Sequence, residues 1–328
     1  MTVDIGRTVE TEKESQLQKE SGFIPPHTLR TAVLFLIFNR LDTTKTVFEA
    51  IRKAKPPRLY IASDGAREMR ADEADKVKTV RDYVLGNVDW DCEVKTLFRD
   101  RNYGCKMAVS GAIDWFFGNE EAGIILEDDC LPSQSFFWFC EELLERYKND
   151  LRVWNIGGYK HPYLQGDAYS YTFSRFTQIW GWATWADRWK HYDVTLEKYK
   201  QNRNLLEDFE FFREDFENRS RKKILDRLSD GLIDTWDYQW NFTVRVNHGL
   251  SIRPRVNLIQ NIGFGAEATH TKGENKLIAS NKAVEIDFPL KHPELIMVYK
   301  KDDRLFGRKN IADGLLSRVK RKLLAKIR

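Results

Sequence analysis

Ile124-Ile125-Leu126-Glu127-Asp128-Asp129-Cys130-Leu131-Pro132-Ser133 is an apolar run of strand length that stops at three consecutive carboxylates. Bounded by Gly123 and Pro132, the run predicts a buried strand in a sheet covered on both faces. Glu127, Asp128 and Asp129 then lie at its carboxyl end, the edge where ligands bind in open α/β sheets. Three adjacent carboxylates repel one another unless a cation neutralises them, which points to a divalent metal site. The competing reading is an acidic turn before a helix, with Ser133 as N-cap and the acids near the positive helix end.

Working outward, the flanking pattern decides the fold class. Thr31–Phe38 is a first β-rich run ending at Asn39-Arg40, and Asp42 or Thr43 is expected to cap a helix reaching about Lys55. Arg58–Ser63 predicts a second strand, ending at Asp64-Gly65. A helix over about Ala71–Leu85, a strand over Cys92–Phe98 and a helix over Gly104–Phe117 lead back to the acidic strand. Alternation of this kind predicts an α/β protein with a mixed, mainly parallel, Rossmann-like sheet flanked by helices. Strand ends in such a sheet share one edge. Arg40, Asp64, Arg99-Asp100-Arg101-Asn102 and the three acids are therefore expected around one crevice, although strand ends are also polar simply because loops are exposed.

Beyond residue 150 the pattern changes. A helix from Ser133 to about Tyr147 is followed by short strand candidates at Val153–Ile156 and Tyr169–Phe173. Trp182, Trp185 and Trp189 are spaced as one face of a helix, which suggests core packing, and Trp180 before them suits a platform under a sugar ring. Thr195–Asp230 predicts two charged surface helices. In Asp234-Thr235-Trp236-Asp237-Tyr238-Gln239-Trp240, Asp234 or Thr235 is expected to cap a helix reaching about Val246, with Asp237 in its first turn. An acid there suits the helix dipole; placed between aromatic walls it also suits a general base. Leu250–Arg253 predicts a last strand, and Asn261–Asn275, with three glycines and His270, a mobile loop able to close over substrate or to serve only as a linker.

Composition sets the outer limits. The 328 residues are 42% hydrophobic and 13% aromatic with ten Trp, as in a packed enzyme-sized protein. A net charge of +4 argues against a nucleic-acid partner. Cys92, Cys105, Cys130 and Cys140 show no zinc-ligand spacing, and reduced thiols in the cytoplasm are expected. No apolar run approaches the roughly 18 residues of a membrane span. Residues 1–29 read as a mobile polar leader, 30–150 as the βαβ half, 151–300 as the second half of the same domain, and 301–328 as a basic amphipathic helix.

Taken in order, these motifs resemble the GT-A-fold nucleotide-diphospho-sugar glycosyltransferases, among them the N-acetylglucosaminyltransferase I family and its bacterial relatives. The resemblance covers roughly residues 30–275. It rests on the Asn39-Arg40 turn, Ser63-Asp64, Ile125-Leu126-Glu127-Asp128-Asp129, Gly181-Trp182, Trp236-Asp237 with Trp240 close behind, and Arg253-Pro254 before a glycine-rich loop with His270. It implies a UDP-sugar donor such as UDP-GlcNAc, Mn2+ or Mg2+, and inversion at the anomeric carbon. It also implies that residues 30–150 are the nucleotide-sugar-binding half and 151–300 the acceptor-side and catalytic half. Asp129 is then the expected metal ligand, Glu127 and Asp128 hold the sugar and ribose, Asp64 meets the uracil, Arg40 lies near base or phosphates, Lys106 near the phosphates, and Asp237 is the base. The family has two acids between its tryptophans where this chain has Asp237-Tyr238-Gln239, which makes Asp234 a rival base.

From Ile311 a basic amphipathic face, with Arg318, Lys320, Arg321 and Lys322, suits the anionic inner surface of a cell membrane and a glycan or lipid-linked acceptor found there, as in bacterial polysaccharide synthesis. Two other functions fit parts of the pattern. A sugar-nucleotide nucleotidyltransferase would share the sheet and metal but usually carries a glycine-rich loop after the first strand, where this chain has Asn39-Arg40-Leu41-Asp42. A non-catalytic, membrane-associated sugar-binding protein would explain the tryptophans and basic tail but not the acids.

Overall fold

The computed structural model describes residues 22–164, 168–203, 215–263 and 280–307. The leader up to residue 21, part of the charged region after Thr195, His270 with most of the glycine-rich loop, and the basic helix from residue 308 lie outside the described residues.

Four βα steps build the first half of the chain: β1 (Val33–Ile37), α1 (Leu41–Ala54), β2 (Arg58–Ser63), α2 (Glu73–Gly86), β3 (Glu93–Phe98), α3 (Gly104–Phe117), β4 (Ala122–Glu127), a short β5 (Cys130–Pro132) and α4 (Ser135–Tyr147). There follow β6 (Val153–Gly157), β7 (Tyr171–Ser174), β8 (Trp182–Trp185), α5 (Ala186–Trp189), α6 (Glu197–Gln201), α7 (Asp215–Ser229), α8 (Asp237–Val246), β9 (Leu250–Pro254) and β10 (Ile259–Asn261). One eight-stranded sheet runs β3-β2-β1-β4-β8-β6-β9-β7. Its β3-β2-β1-β4 portion is parallel, and β8 is antiparallel to both β4 and β6. Because β6 and β9 are parallel to each other, they point the same way as β4. The mixed, mainly parallel α/β sheet expected from the sequence is therefore present, and strands from both halves of the chain share it.

Both faces of the sheet are covered, and the strands show it residue by residue. Val33, Phe35, Ile37, Leu59, Ile61, Ile124 and Leu126 join the core with Phe48 and Ile51 of α1, Val80 and Val84 of α2, and Phe136 and Phe137 of α4. Leu34, Leu36, Tyr60, Ala62 and Ile125 face the other way, onto Ala112, Ile113 and Phe116 of α3 and a block formed by Trp154, Trp182, Trp189, Trp236 and Trp240. Alternation thus operates inside runs that are apolar throughout.

The tryptophan segment departs from its expected helix. Trp182–Trp185 is a strand: Trp182 joins one face of the sheet while Ala183 and Trp185 join the other, the two-residue period of a strand. Pairing with β4 and β6 on both sides outweighs the accidental helical spacing, and only Ala186–Trp189 is helical. The packed chain also begins inside the expected leader. Phe23 and Leu29 are buried, Phe23 against Trp138 and Phe288. At the other end residues 300–307 are helical and dock on the sheet, with Asp303 accepting hydrogen bonds from Ser174 Oγ (2.6 Å) and the Arg175 amide (2.9 Å). Arg253, 2% exposed, donates to Ser174 Oγ at 2.7 Å and pairs with Asp302 and Asp303.

Candidate active site

The carboxyl ends of β1, β2, β3, β4, β6 and β9 share one edge. Glu127 is the last residue of β4, and Asp128-Asp129 form the tight turn into β5. The turn is held by β10, which pairs antiparallel with β5 in a separate two-stranded sheet, and by the Ile262 amide donating to the Asp129 carbonyl at 2.8 Å. Gly263 follows directly. A side chain there has no room: an added Cβ would lie 2.2 Å from Asp129 Oδ2. Neither β5 nor β10 was expected from the sequence, since three-residue strands are too short to show a period. The Ser133 cap is also replaced. Glu285 accepts from the Gln134 (3.1 Å) and Ser135 (2.7 Å) amides at the start of α4, so the cap comes from a distant segment.

The acid turn is neutralised from within the chain. Arg40, at the end of β1, donates one guanidinium nitrogen to Asp128 Oδ1 and, at 3.0 Å, to Asp129 Oδ2. Burial alone would lower the Arg40 pKa, but Asp128 and then Asp129 outweigh it and the group is held above its ordinary value. The α1 helix starts at Leu41 with Arg40 as its N-cap residue and no side-chain cap, whereas Asp42 or Thr43 was the expected cap. Burial is the main cause that pushes Asp128 up to about 6, with Arg40 opposing it. Burial likewise pushes Glu127 up to about 8, with Asp129, Asp128 and Asp237 adding to it. Asp237, 110 residues further along the chain, opens a helix whose start lies toward the same sheet edge and adds to the negative field at Glu127.

Asp64 and Asp234 are both engaged by backbone. Asp64 accepts from the amides of Gly65 (3.0 Å), Tyr103 (3.0 Å) and Gly104 (3.1 Å), and burial raises its pKa. Asp234 accepts from the amides of Cys105 (2.9 Å) and Lys106 (3.2 Å). Four successive N–H groups at the start of α3 are thus satisfied by two carboxylates from remote segments. The turn requires Gly104, whose φ is +77° and whose missing Cβ would lie 2.7 Å from Asp234 Oδ2. Lys106 sits in the first turn of α3. Arg81 of α2 braces the same region, donating to the carbonyls of Asp64 (2.9 Å) and Arg99 (2.8 Å). Beside it lies a cleft of about 490 Å³ lined in part by Gly65, Val77, Leu85, Phe98 and Arg99.

Asp237 opens α8. Thr235 Oγ1 donates to its Oδ1 at 2.5 Å, and Trp236 is stacked on Trp182 with centroids 5.6 Å apart. Cys105 lies in the middle of these acids: burial first, then Glu127, Asp234, Asp237 and Asp64, drive its thiol pKa well up. The structure thus brings Arg40, Asp128 and Asp129 together beside Glu127 at the end of β4, while Asp64 and Asp234 meet at the start of α3 and Asp237 opens α8 three residues after Asp234. Gly263 was not singled out from the sequence, and Cys105 and Thr235 were named only as a reduced thiol and a candidate helix cap, because their positions matter through contacts made across the fold. Trp180 packs edge-on against Tyr159, with centroids 4.7 Å apart.

For a cation, the chemistry of the donor set is suitable in one way. Among the described residues no three His, Cys, Asp or Glu side chains form a metal cluster. A hard ion held here would use one or two carboxylates and complete its shell from phosphate and water, as Mg2+ commonly does. Asp128 Oδ2 is buried and makes no hydrogen bond, so the turn retains an unsatisfied acceptor facing this task.

No family model matches the chain, and no curated protein does. Among solved structures the chain is similar to a mannosyltransferase from Pyrobaculum calidifontis in complex with GDP-Man and Mn2+, at 12% identity and a TM-score of 0.36, over 57% of this chain and 55% of that one. It is also similar to HddC from Yersinia pseudotuberculosis, at 8% identity and a TM-score of 0.30, over 49% of this chain and 80% of that one. A UDP-glucose pyrophosphorylase complexed with UDP-glucose matches at 10% identity and a TM-score of 0.29, over 50% of this chain and 79% of that one. The chain therefore spans about half the length of the mannosyltransferase. Among the described residues no helix is long and apolar enough to cross a membrane.

Proposed function

We propose that the protein is a metal-dependent glycosyltransferase that moves a sugar from a UDP-sugar, UDP-GlcNAc being the first candidate, to a hydroxyl of a glycan or lipid-linked acceptor with inversion. The observation that carries this reading is the meeting, at one sheet edge, of the Asp128-Asp129 turn and a second acid, Asp237, on a separate wall. A transferase needs those two functions apart: one to hold the diphosphate, one to take a proton. The resemblance of the ordered motifs to GT-A glycosyltransferases supports the same assignment.

In this reading Asp129, with Asp128 beside it, would hold Mn2+ or Mg2+, and the ion would supply Lewis-acid stabilisation of the charge on the departing nucleotide. Arg40 turns from the acid pair toward the donor phosphates and contributes a second positive charge there. Lys106, in the first turn of α3, serves the same phosphates. Glu127 and Asp128 orient the sugar and ribose hydroxyls. Asp64 lies at the base end and holds the β3–α3 loop in shape. Asp237 accepts the acceptor hydroxyl's proton as its oxygen bonds to the anomeric carbon and the bond to UDP breaks. Thr235, bonded to Asp237 Oδ1, fixes the carboxylate's orientation. The loop after β1 holds Arg40 against carboxylates and contains no glycine cradle for a triphosphate, which weighs against a nucleotidyltransferase.

Calorimetric titration of UDP, UDP-GlcNAc and other nucleotide sugars, with and without Mn2+, tests the donor site. Binding should require the metal and be lost in Asp129→Ala. Absence of nucleotide binding under every condition would remove the transferase reading and leave a sugar-binding role to pursue.

A further inference from the structure

We infer that Asp234 is a positioning residue that ties the base-bearing start of α8 to the donor-side start of α3, so that donor loop and base are held as one unit. The inference rests on the glycosyltransferase reading for its kinetic consequence but not for its structural one. Each residue from Asp234 to Asp237 has its own restraint. Asp234 accepts two amides of α3. Thr235 donates its hydroxyl to Asp237, and its carbonyl accepts from Gln239 Nε2 at 2.7 Å. Trp236 is wedged in the tryptophan block, and its carbonyl accepts from Tyr192 Oη at 3.0 Å. The Asp234 contact links this segment to the β3–α3 loop, whose other carboxylate, Asp64, stands at the end of β2.

That placement answers the rivalry between Asp234 and Asp237. A carboxylate whose two oxygens each accept a backbone amide at a helix start serves as a cap for a helix that is not its own. Proton transfer falls to Asp237, which opens α8 and whose carboxylate is oriented by the Thr235 hydroxyl. The tie spans 128 to 129 residues of chain, so nothing local maintains it if Asp234 is removed.

The test compares wild type with Asp234→Asn and Asp234→Ala. Hydrogen exchange is read over residues 103–107 and 234–241 without any substrate. Removing a cap commonly speeds local opening by roughly 5- to 30-fold, and in Asp234→Ala both segments should accelerate together, with Asp234→Asn, which keeps one accepting oxygen for two amides, between alanine and wild type. Acceleration confined to 103–107 would overturn the coupling. In the transfer assay the alanine variant should lose about 10- to 100-fold in kcat, as expected of a misplaced base, while the donor Kd stays within about threefold and the pH profile keeps its shape. Asp234→Asn, whose single amide oxygen can meet only one of the two amides, should recover part of kcat. If asparagine is as inactive as alanine and the base limb of the pH profile disappears, Asp234 is the base and the inference fails. If the wild type itself transfers no sugar, the functional reading falls while hydrogen exchange still decides the coupling. Should the alanine variant not fold, Asp234→Asn alone separates cap from base by the same two readouts.

Discussion

Replacing Glu127 by Gln should change how stability depends on pH. Glu127 ends a buried strand beside two other carboxylates, and burial, followed by Asp129 and Asp128, raises its pKa from 4.5 to about 8. Below about pH 4.5 the side chain is protonated whether the chain is folded or not, so it costs nothing. Between about pH 4.5 and 8 the native state keeps a proton that the unfolded chain releases. The native state then binds more protons, and stability falls as pH rises. At one proton the slope approaches about 1.4 kcal/mol per pH unit, and a full shift of this size corresponds to about 5 kcal/mol by pH 8. Glu127 keeps part of its surface at the crevice, so the latter figure is an upper bound.

Urea denaturation of wild type and Glu127→Gln from pH 5 to 9, with chelator present, reads the difference directly. Groups common to both proteins cancel. The variant should be near parity with wild type at pH 5 and gain on it by at least about 1.5 kcal/mol by pH 8.5, a third of that bound. Mn2+ added at pH 8 should recover part of the deficit in wild type, since a cation then supplies what the proton supplied at low pH. A stability difference that is flat from pH 5 to 9 would show that Glu127 is ionised at no cost, and the electrostatic account of the acid turn would be wrong.

Three further outcomes follow from the same geometry. Asp237→Asn should lower kcat by about 10²- to 10⁴-fold with donor Kd unchanged in calorimetry, as for loss of a general base; near-normal turnover would reassign the role. Gly263→Ala, forcing a Cβ to within 2.2 Å of Asp129 Oδ2, should cost about 1–3 kcal/mol in urea and weaken Mn2+-dependent nucleotide binding; intact binding would mean the turn adjusts freely. Arg253→Met should cost about 3–5 kcal/mol, the usual penalty for stripping one partner from a buried charge pair, with hydrogen exchange of residues 300–307 rising first.

Much of this arrangement was legible because it is local. Parallel strands flanked by helices announce themselves through apolar runs and helix-length amphipathic stretches, and Gly104–Phe117 was read with its observed limits. The concentration of acid at the end of β4 was equally visible, since it needs only three neighbouring residues. Where sequence reading failed, a distant partner had replaced a local signal. Ser133 and Asp42 are reasonable caps by type, yet Glu285 caps α4 and Arg40 precedes α1 with its side chain turned to Asp128. Trp182 and Trp185 have helical spacing, but a position between β4 and β6 makes them strand residues on opposite faces.

The same substitution of remote for local partners gives the edge its organisation. In most helices the first amides are met by a neighbour in sequence, and the helix start then moves independently of the rest of the fold. Here α3 is met by Asp64 from the end of β2 and by Asp234 from the start of the second wall, while α4 is met by Glu285. Two carboxylates at one helix start are stabilised by the same partial positive charge that would attract a phosphate. Their presence commits that charge to joining segments; under the proposed glycosyltransferase reading, recognition of an anionic donor then falls to Arg40, Lys106 and a cation at Asp128-Asp129. An edge built this way is rigid where the acids meet backbone and adjustable where Arg40 meets acids. Arg40 is therefore the side chain whose reorientation should accompany donor binding, and Arg40→Met should raise the affinity of the acid turn for Mn2+ in the absence of nucleotide while weakening it for the nucleotide sugar. Parallel loss of both affinities would mean that Arg40 only shapes the turn.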